Sequence, residues 1–538
     1  METISEMIHA RADDQAPGLV VGDSSWTWAE TVGCSRARAS LAATLVSDGP
    51  PHICVLLDNV PEFSFWLGAT ALAGHVLVGG NPNHSRDELS RDIAHTECQL
   101  VVTDMAHLPL VDGLDLGPAI GVATEENPRI LLVDSARYEE QLSAHADAPI
   151  PDAKSSVITA STLGYLIFTS GTSGAPKAVR CSQGRMAFIG SVLTQMFSLG
   201  PDDVCYVAMP MFHSNALMAG WAPALAAGAT IALPSRGRFS ASGFLPDVRR
   251  HGVTYFNYVG KPLSYILATP EKPDDADTSL RHVFGNEAAS ADVARFAERF
   301  GCPVVDGYGS TEGGASMSRT SDTPSGSLGR GIDVIIVDQE TATECPRARF
   351  DENGRLLNAG EAIGEIVSTS GAAGFEGYWR NEKAEHARVR DGWYWTGDLG
   401  YQDDAGFVYF AGRTDDWLRV DGENFAAAPV ARVLERHPDV ILAAVYAVPD
   451  PVTGDQVMAA LQLRHGTSFD PDTFASFLQD QPDLGIKWVP RYVRICEELP
   501  TTATAKILTR SLRGEGLNCS DPVWSRALTR TASYERLA

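Results

Sequence analysis

Short apolar runs alternate with longer mixed stretches along the first half of the chain. HICVLLDN (52–59) and QLVVTD (99–104) are apolar at consecutive positions, the pattern of buried strands. PEFSFWLGATALAG (61–74) predicts a helix behind the first of them, and with it α/β layering. Residues 204–260 repeat the alternation: DVCYVAMP, a Gly-Ala helix, TIALPS, a second helix, then VTYFNYVG. From about residue 345 the texture changes to short β-like runs, EIVSTSG, GWYWTGDLG and GFVYFAGR, separated by Gly-Asp turns. After Arg413 it changes again. AAAPVARVLERH has helical periodicity, and VILAAVYAV and QVMAALQLR read as strands, which predicts a small terminal α+β domain of about 125 residues. The expected fold class is therefore α/β with mixed β elements. A large N-terminal domain of layered α/β subdomains (1–411) precedes a small C-terminal domain (412–538), with the boundary at 411–416 inside AGRTDDWL.

Length agrees with more than one domain, since 538 residues exceed what one core organises. Charge narrows the partners. The 43 basic and 68 acidic residues give a net charge of -25, which disfavours general nucleic-acid or anionic-membrane binding. The nine cysteines are scattered without a CxxC pair, so neither a zinc site nor a disulfide framework is expected. The N-terminus lacks a signal-peptide core, and the apolar run at 222–233 is too short to span a bilayer. The expectation is a cytoplasmic protein with no membrane span, peripheral contact left open.

The candidate chemistry starts at FTSGTSGAPKAV (168–179). Glycines and small hydroxyl residues let backbone N–H groups turn inward as an anion-binding nest, and Lys177 adds a positive charge. The spacing is not that of a Walker loop, and the stretch lies between two β-like runs. A plain hairpin loop is the competing reading of this stretch alone.

TSGTSGAPK resembles the phosphate loop of the adenylate-forming superfamily, which includes acyl-CoA synthetases, luciferase-like enzymes and peptide-synthetase adenylation domains. Six further stretches match in order: MPMFHSNAL (209–217), GNEAAS (285–290), DGYGSTEGG (306–314), WTGDLG (395–400), GRTDDWLRVDGEN (412–424) and PTTATAKIL (500–508). The resemblance implies two half-reactions. A carboxylate attacks the α-phosphate of ATP to give an acyl-adenylate and pyrophosphate, and a thiol then attacks the activated carbonyl. It further implies ATP, Mg2+ and coenzyme A as cofactor or co-substrates.

Carried over position by position, the resemblance assigns Thr169, Ser170, Gly171, Thr172, Ser173, Gly174 and Lys177 to the β- and γ-phosphates. Thr311 falls to the α-phosphate and Glu312 to Mg2+, which favours hard oxygen ligands. A carboxylate at a helix start is the plainer reading of Glu312. Tyr308 is expected against the adenine ring, with Gly285, Asn286, Glu287 and Asp306 around the base. Asp398 is expected to accept from both ribose hydroxyls, with Arg413 beside it. Lys506 is expected to bridge the carboxylate and α-phosphate as charge builds, although the family's usual Gly before this lysine is Ala505. Asp415 stands at the family's interdomain hinge, and Gly422 at its pantetheine tunnel.

Substrate class follows from departures. Amino-acid-activating relatives place Asp directly after Phe in the motif aligned with Phe212; here the residue is His213, which offers an α-ammonium no fixed negative charge. His213 is expected to gate the pocket beside the acyl carboxylate. A hydrogen-bonded structural histidine is the alternative. Residues 237–267, WLRVDGENF, TATAK and GEGLNCSDPVW resemble the very-long-chain acyl-CoA synthetase (fatty acid transport protein) branch and its bacterial relatives, some of which activate steroid side-chain acids. The implied pocket is long and apolar, with Leu217, Tyr258, Val259 and Gly260 as candidate lining. Two other readings stay open: loading of a carrier-protein thiol, and a lipid-binding protein without catalysis.

Overall fold

The computed structural model describes residues 1–121, 128–147, 158–169, 177–320, 322–324, 326–352, 354, 356–413, 417–420, 423–450, 454–502, 507–526 and 533–537. Two sheets with helices between them form the first two-thirds of the chain. The first sheet runs, edge to edge, Ile130–Leu132, Leu100–Thr103, His52–Leu56, Val76–Gly79, Leu163–Thr169 (β1) and Lys177–Ser182 (β2). Its strands are parallel except for the β1–β2 pair, which is antiparallel. Every residue of His52–Leu56 is buried, because both faces of the sheet are covered. Ile53 and Val55 point into the large core shared with the second sheet, whereas Cys54 and Leu56 point out toward the helix Arg86–His95. This is the two-residue alternation of a strand applied to two apolar layers.

The helix Pro61–Ala73 lies between the sheets, as the sequence predicts. Proline occupies its first turn, and it stops at Gly74, whose φ of 67° closes the C-terminus in the left-handed region. Beside it runs Trp28–Leu45. Thr27 accepts from the Glu30 N–H, and the Glu30 side chain returns a bond to the Thr27 N–H, a reciprocal N-terminal cap.

The second sheet carries Tyr255–Val259 (β3), His282–Asn286 (β4) and Val304–Gly309 (β5) as parallel neighbours, bounded by the antiparallel Ser316–Ser318. On the other side β3 continues through Val204–Tyr206 and Thr230–Ala232 to Pro17–Val21 and Ser24–Thr27. The N-terminal strands therefore complete the second sheet rather than the first. Their short, weakly patterned sequences carry no sign of that partnership.

The region after residue 320 builds an antiparallel sheet. Trp393–Gln402 (β6) is central, flanked by Val408–Arg413 (β7) and Gly364–Ser368. Trp417–Val420 then opens a different sheet centred on Gly454–Leu463, with a core of its own around Val430, Val457 and Phe474. Polar contacts between described residues join this last part to the rest. Lys261 Nζ donates to Glu435 Oε1 at 2.6 Å, both side chains largely buried, and Arg432 Nη1 reaches the Gly326 carbonyl at 3.4 Å. Among the described residues, no helix is long and apolar enough to cross a membrane.

Candidate functional site

The motifs sit at strand ends, where backbone leaves the sheet and side chains can converge. β1 and β2 are an antiparallel pair whose final register matches Thr169 to Lys177. The phosphate-loop candidate thus connects the two strands of a hairpin. Ser170, Gly171, Thr172, Ser173 and Gly174 lie outside the described residues, as do Asp415, Gly422 and Lys506. The flanks of Lys506 are described: Thr501 and Ile507 pair as an antiparallel bridge, and Leu508 N–H donates to Pro500 O at 2.8 Å.

β4 and β5 end side by side and present the base-binding candidates. Gly285 faces Tyr258 across the β3–β4 register. A Cβ on Gly285 would stand 2.4 Å from the Tyr258 carbonyl oxygen, so only glycine fits this approach. Asn286 Nδ2 donates to Gly307 O at 2.8 Å, tying the two strand ends together. Glu287 follows with φ 72°, a left-handed conformation rare outside glycine and frequent at functional turns. Asp306, 3% exposed, accepts from Tyr258 Oη at 2.6 Å and from Ala288 N at 3.1 Å, with Arg319 Nη2 at 3.5 Å. It supports the 285–288 turn from beneath. Burial pushes its carboxyl up to about 6, against the opposing pull of Arg319 and its two donors.

Tyr308 and Asp398 are brought together from 90 residues apart, with Tyr308 Oη donating to Asp398 Oδ2 at 2.6 Å. Burial, then the Asp398 charge, hold the Tyr308 phenol well above its ordinary value. Asp398 N–H donates to Thr396 Oγ1, closing the TGD turn, and the β6–β7 register sets Asp398 directly opposite Arg413.

Thr311 and Glu312 occupy the turn between β5 and Ser316–Ser318; no helix begins there, so the helix-start reading of Glu312 does not hold. Thr311 Oγ1 lies 2.7 Å from Ser214 Oγ, and both residues are buried. This hydrogen bond links FHSNA, expected beside the acyl carboxylate, to the motif expected at the α-phosphate. His213 caps the following turn: its Nδ1 accepts from Asn215 N at 3.3 Å, so that ring nitrogen has a local structural task. Asn215 Nδ2 donates to Tyr258 O, and Asn257 Nδ2 donates to Asn215 Oδ1 at 2.7 Å, pinning the turn to β3. A π-helical turn, Leu217–Trp221, comes next, a device common where a helix borders a site. Of the lining candidates, Leu217 and Val259 are buried, Gly260 has φ 78°, and Tyr258 uses its hydroxyl on Asp306.

Glu312 is 6% exposed, and its Oε1 accepts from Tyr378 Oη at 2.9 Å. Neither Tyr378 nor its neighbour Arg388 stands out in the sequence; GYWR reads as packing aromatics. A buried carboxylate with one oxygen held by a phenol suits a metal that binds through one or two carboxylates plus substrate phosphates, as Mg2+ does. Among the described residues no group of three or more His, Cys, Asp or Glu is clustered as a metal cage.

Comparison with known proteins shows the family. The AMP-binding enzyme family matches residues 8–379, and the AMP-binding enzyme C-terminal domain matches residues 430–506. A steroid-22-oyl-CoA synthetase of Rhodococcus jostii is 51% identical over 525 residues, covering 97% of this chain and 92% of the relative. A medium/long-chain-fatty-acid–CoA ligase of Mycobacterium tuberculosis, FadD17, is 49% identical over 526 residues, covering 97% and 98%. An anthranilate CoA ligase, AuaEII, solved in complex with anthranoyl-AMP, shares the fold with a TM-score of 0.79 at 19% identity, covering 95% of this chain and 96% of its own. With family matches over both parts and relatives near half identity end to end, the chain belongs to the AMP-binding enzymes, the adenylate-forming superfamily of acyl-CoA synthetases.

Proposed function

We propose that the protein is an ATP-dependent acyl-CoA ligase for long-chain, very-long-chain or steroid-side-chain carboxylic acids. The observation that carries this reading is the 2.7 Å contact of Ser214 with Thr311. Adenylation needs the acyl carboxylate and the α-phosphate held side by side, and effective concentration supplies much of the rate. The acyl-side turn and the phosphate-side turn touch at that bond.

In the first half-reaction a carboxylate oxygen attacks the α-phosphorus, and the bond to the β-phosphate oxygen breaks, releasing pyrophosphate. Thr169 and Lys177, at the loop's two ends, hold the departing phosphates with residues 170–174. Tyr308 and the 285–287 turn hold adenine, and Asp398, with Arg413 opposite, takes the ribose. Thr311 orients the α-phosphate, and Lys506 offsets the charge that builds between the reactants. Glu312 holds Mg2+, which when bound neutralises phosphate charge. In the second half-reaction the coenzyme A thiol loses its proton and attacks the acyl carbonyl, and AMP leaves. Asp415, as the hinge near 411–416, lets residues 412–538 reorient between the two, and Gly422 leaves room for pantetheine. The change of sheet between β7 and Trp417 supports that boundary.

His213 at the position of the amino-acid enzymes' Asp argues against an ammonium-bearing substrate. The relatives near 50% identity are named for a steroid-22-oyl and for medium/long-chain fatty acids, which supports an apolar acid. The test is mass spectrometry after mixing protein, ATP, Mg2+ and CoA with medium-chain, palmitic, very-long-chain and steroid-side-chain acids. A CoA thioester from one class supports the reading and names the substrate. Acyl-AMP without thioester would move the acceptor to a carrier protein, and no product from any acid would reject the ligase reading.

A further inference from the structure

Three nucleotide motifs meet at a pair of side chains that none of them contains. Gly377–Trp379 runs alongside β2: Arg180 N–H donates to Gly377 O at 3.0 Å, Trp379 N–H donates to Ala178 O at 2.8 Å, and Val179 pairs with Tyr378. Since β2 begins at Lys177, Tyr378 is fastened to the strand that closes the phosphate loop. Its hydroxyl donates to Glu312 Oε1 at 2.9 Å. From the other side Arg388 Nε donates to the same phenol oxygen at 3.4 Å, while Arg388 Nη1 donates to Trp395 O at 3.2 Å, just before the TGD turn. Gly397 in that turn has φ 73°, and a Cβ there would stand 2.5 Å from Arg388 Nη1; the guanidinium fills the space a side chain would need.

The order in space is guanidinium, phenol oxygen, carboxylate. Arg388 and Glu312 attract one another electrostatically, yet they form no ion pair within 4 Å; each instead bonds the tyrosine between them. A direct arginine–carboxylate pair is commonly bidentate and would engage both oxygens of Glu312.

We propose that Tyr378 is a positioning residue that holds Glu312 by one oxygen and keeps Arg388 from pairing with it, so that the other oxygen is kept for the nucleotide's divalent cation. The proposal rests on reading Glu312 as the metal carboxylate. Tyr378→Phe removes the hydroxyl and keeps the ring, so Arg388 and Glu312 can close on each other. Removing Arg388 as well takes away the competitor and frees the carboxylate again. A purely structural role for the tyrosine would make the double variant worse, not better.

The experiment uses the full chain with Mn2+ as the metal probe and α,β-methylene-ATP as an uncleavable nucleotide. Electron paramagnetic resonance reads bound Mn2+, calorimetry in EDTA reads the nucleotide alone, and thermal midpoints report folding. Losing an outer partner of a metal ligand typically weakens metal binding by about 10–100-fold, so Tyr378→Phe is expected to weaken Mn2+ by about tenfold. Affinity for the metal-free nucleotide should stay within about twofold, and Tyr378→Phe with Arg388→Met should recover most of the loss. Wild-type Mn2+ affinity in Tyr378→Phe, or a double variant weaker than the single, overturns the proposal. Glu312→Gln separates the two levels: if Mn2+ binding survives it unchanged, the assignment of Glu312 fails and the role of Tyr378 falls with it.

Discussion

Replacing Gly285 with alanine puts a methyl group where the fold has none to spare. The new Cβ would lie 2.4 Å from the Tyr258 carbonyl oxygen and 2.6 Å from two atoms of its ring, about 1 Å inside ordinary contact. Tyr258 cannot retreat easily. Its carbonyl accepts from Asn215, its hydroxyl is held by Asp306, and β3 is paired on both sides. The displacement therefore falls on the 285–288 turn, which carries Asn286 and Glu287, proposed to hold adenine. Overpacking a tight site costs about 1–3 kcal/mol. If most of that is released by moving the base-binding turn, the KM for ATP rises about 5–150-fold, with about 30-fold at the midpoint. Pyrophosphate–ATP exchange at saturating acid measures that KM, and scanning fluorimetry measures the thermal midpoint. An alanine variant with a KM for ATP within about threefold of the parent and an unchanged midpoint would refute the reasoning, because the approach would then have slack that the distances deny.

Ser214→Ala deletes the bond to Thr311, a net loss of about 0.5–1.5 kcal/mol. Acyl-AMP formation should slow about 2–10-fold while thioester formation from supplied acyl-AMP keeps its rate; equal adenylation rates in rapid-quench assays would remove the link between the two motifs. Lys506→Ala should abolish adenylation but spare thioester formation from supplied acyl-AMP, and sustained turnover from free acid would reject that assignment. Asp306, raised by burial to about 6, keeps its proton in the folded chain over a range where the unfolded chain, near 4, has lost it. The folded state thus binds more protons between about pH 4 and 6, and this group makes stability fall as pH rises through that window. Urea unfolding of Asp306→Asn against the parent should show the variant gaining stability from about pH 4 to 6 and holding the gain above it; a difference that stays flat would mean that Asp306 titrates normally.

What could be read from sequence was whatever a few adjacent residues decide. The TSGTSGAPK loop, the STE turn and the TGD turn are each specified by residues in immediate succession, and their strands follow from apolar runs. Thr311, Tyr308 and Asp398 accordingly stand in turns and at strand ends that their motifs mark out, whereas the contacts of Thr311 with Ser214 and of Tyr308 with Asp398 were not legible. Ser214 with Thr311, and Tyr378 with Glu312, are 97 and 66 residues apart and leave no periodicity behind. Arg388 resembles any surface arginine of a charged helix until Gly397 is seen to make room for it. The hairpin reading of 168–179 could not be fixed from sequence because the sequence does not show that Thr169 and Lys177 face each other across one register.

The strand Pro17–Val21 has a consequence for how the chain is made. It pairs with Thr230–Ala232, matching Leu19 to Ile231 and Val20 to Ala232. During synthesis the first strand leaves the ribosome roughly 200 residues before its partner, an interval of about 10–40 s at ordinary elongation rates. Through that time PGLVV can pair only with its hairpin neighbour Ser24–Thr27, and its other edge, the one that meets Thr230–Ala232, stays open. Such a segment is a candidate for chaperone capture and for mispairing with the nearer sheet built on His52–Leu56. A shortened N-terminus would therefore do more than trim a loose end: it would uncover the edge of the sheet whose far strands carry the turns at 285–288 and 310–313.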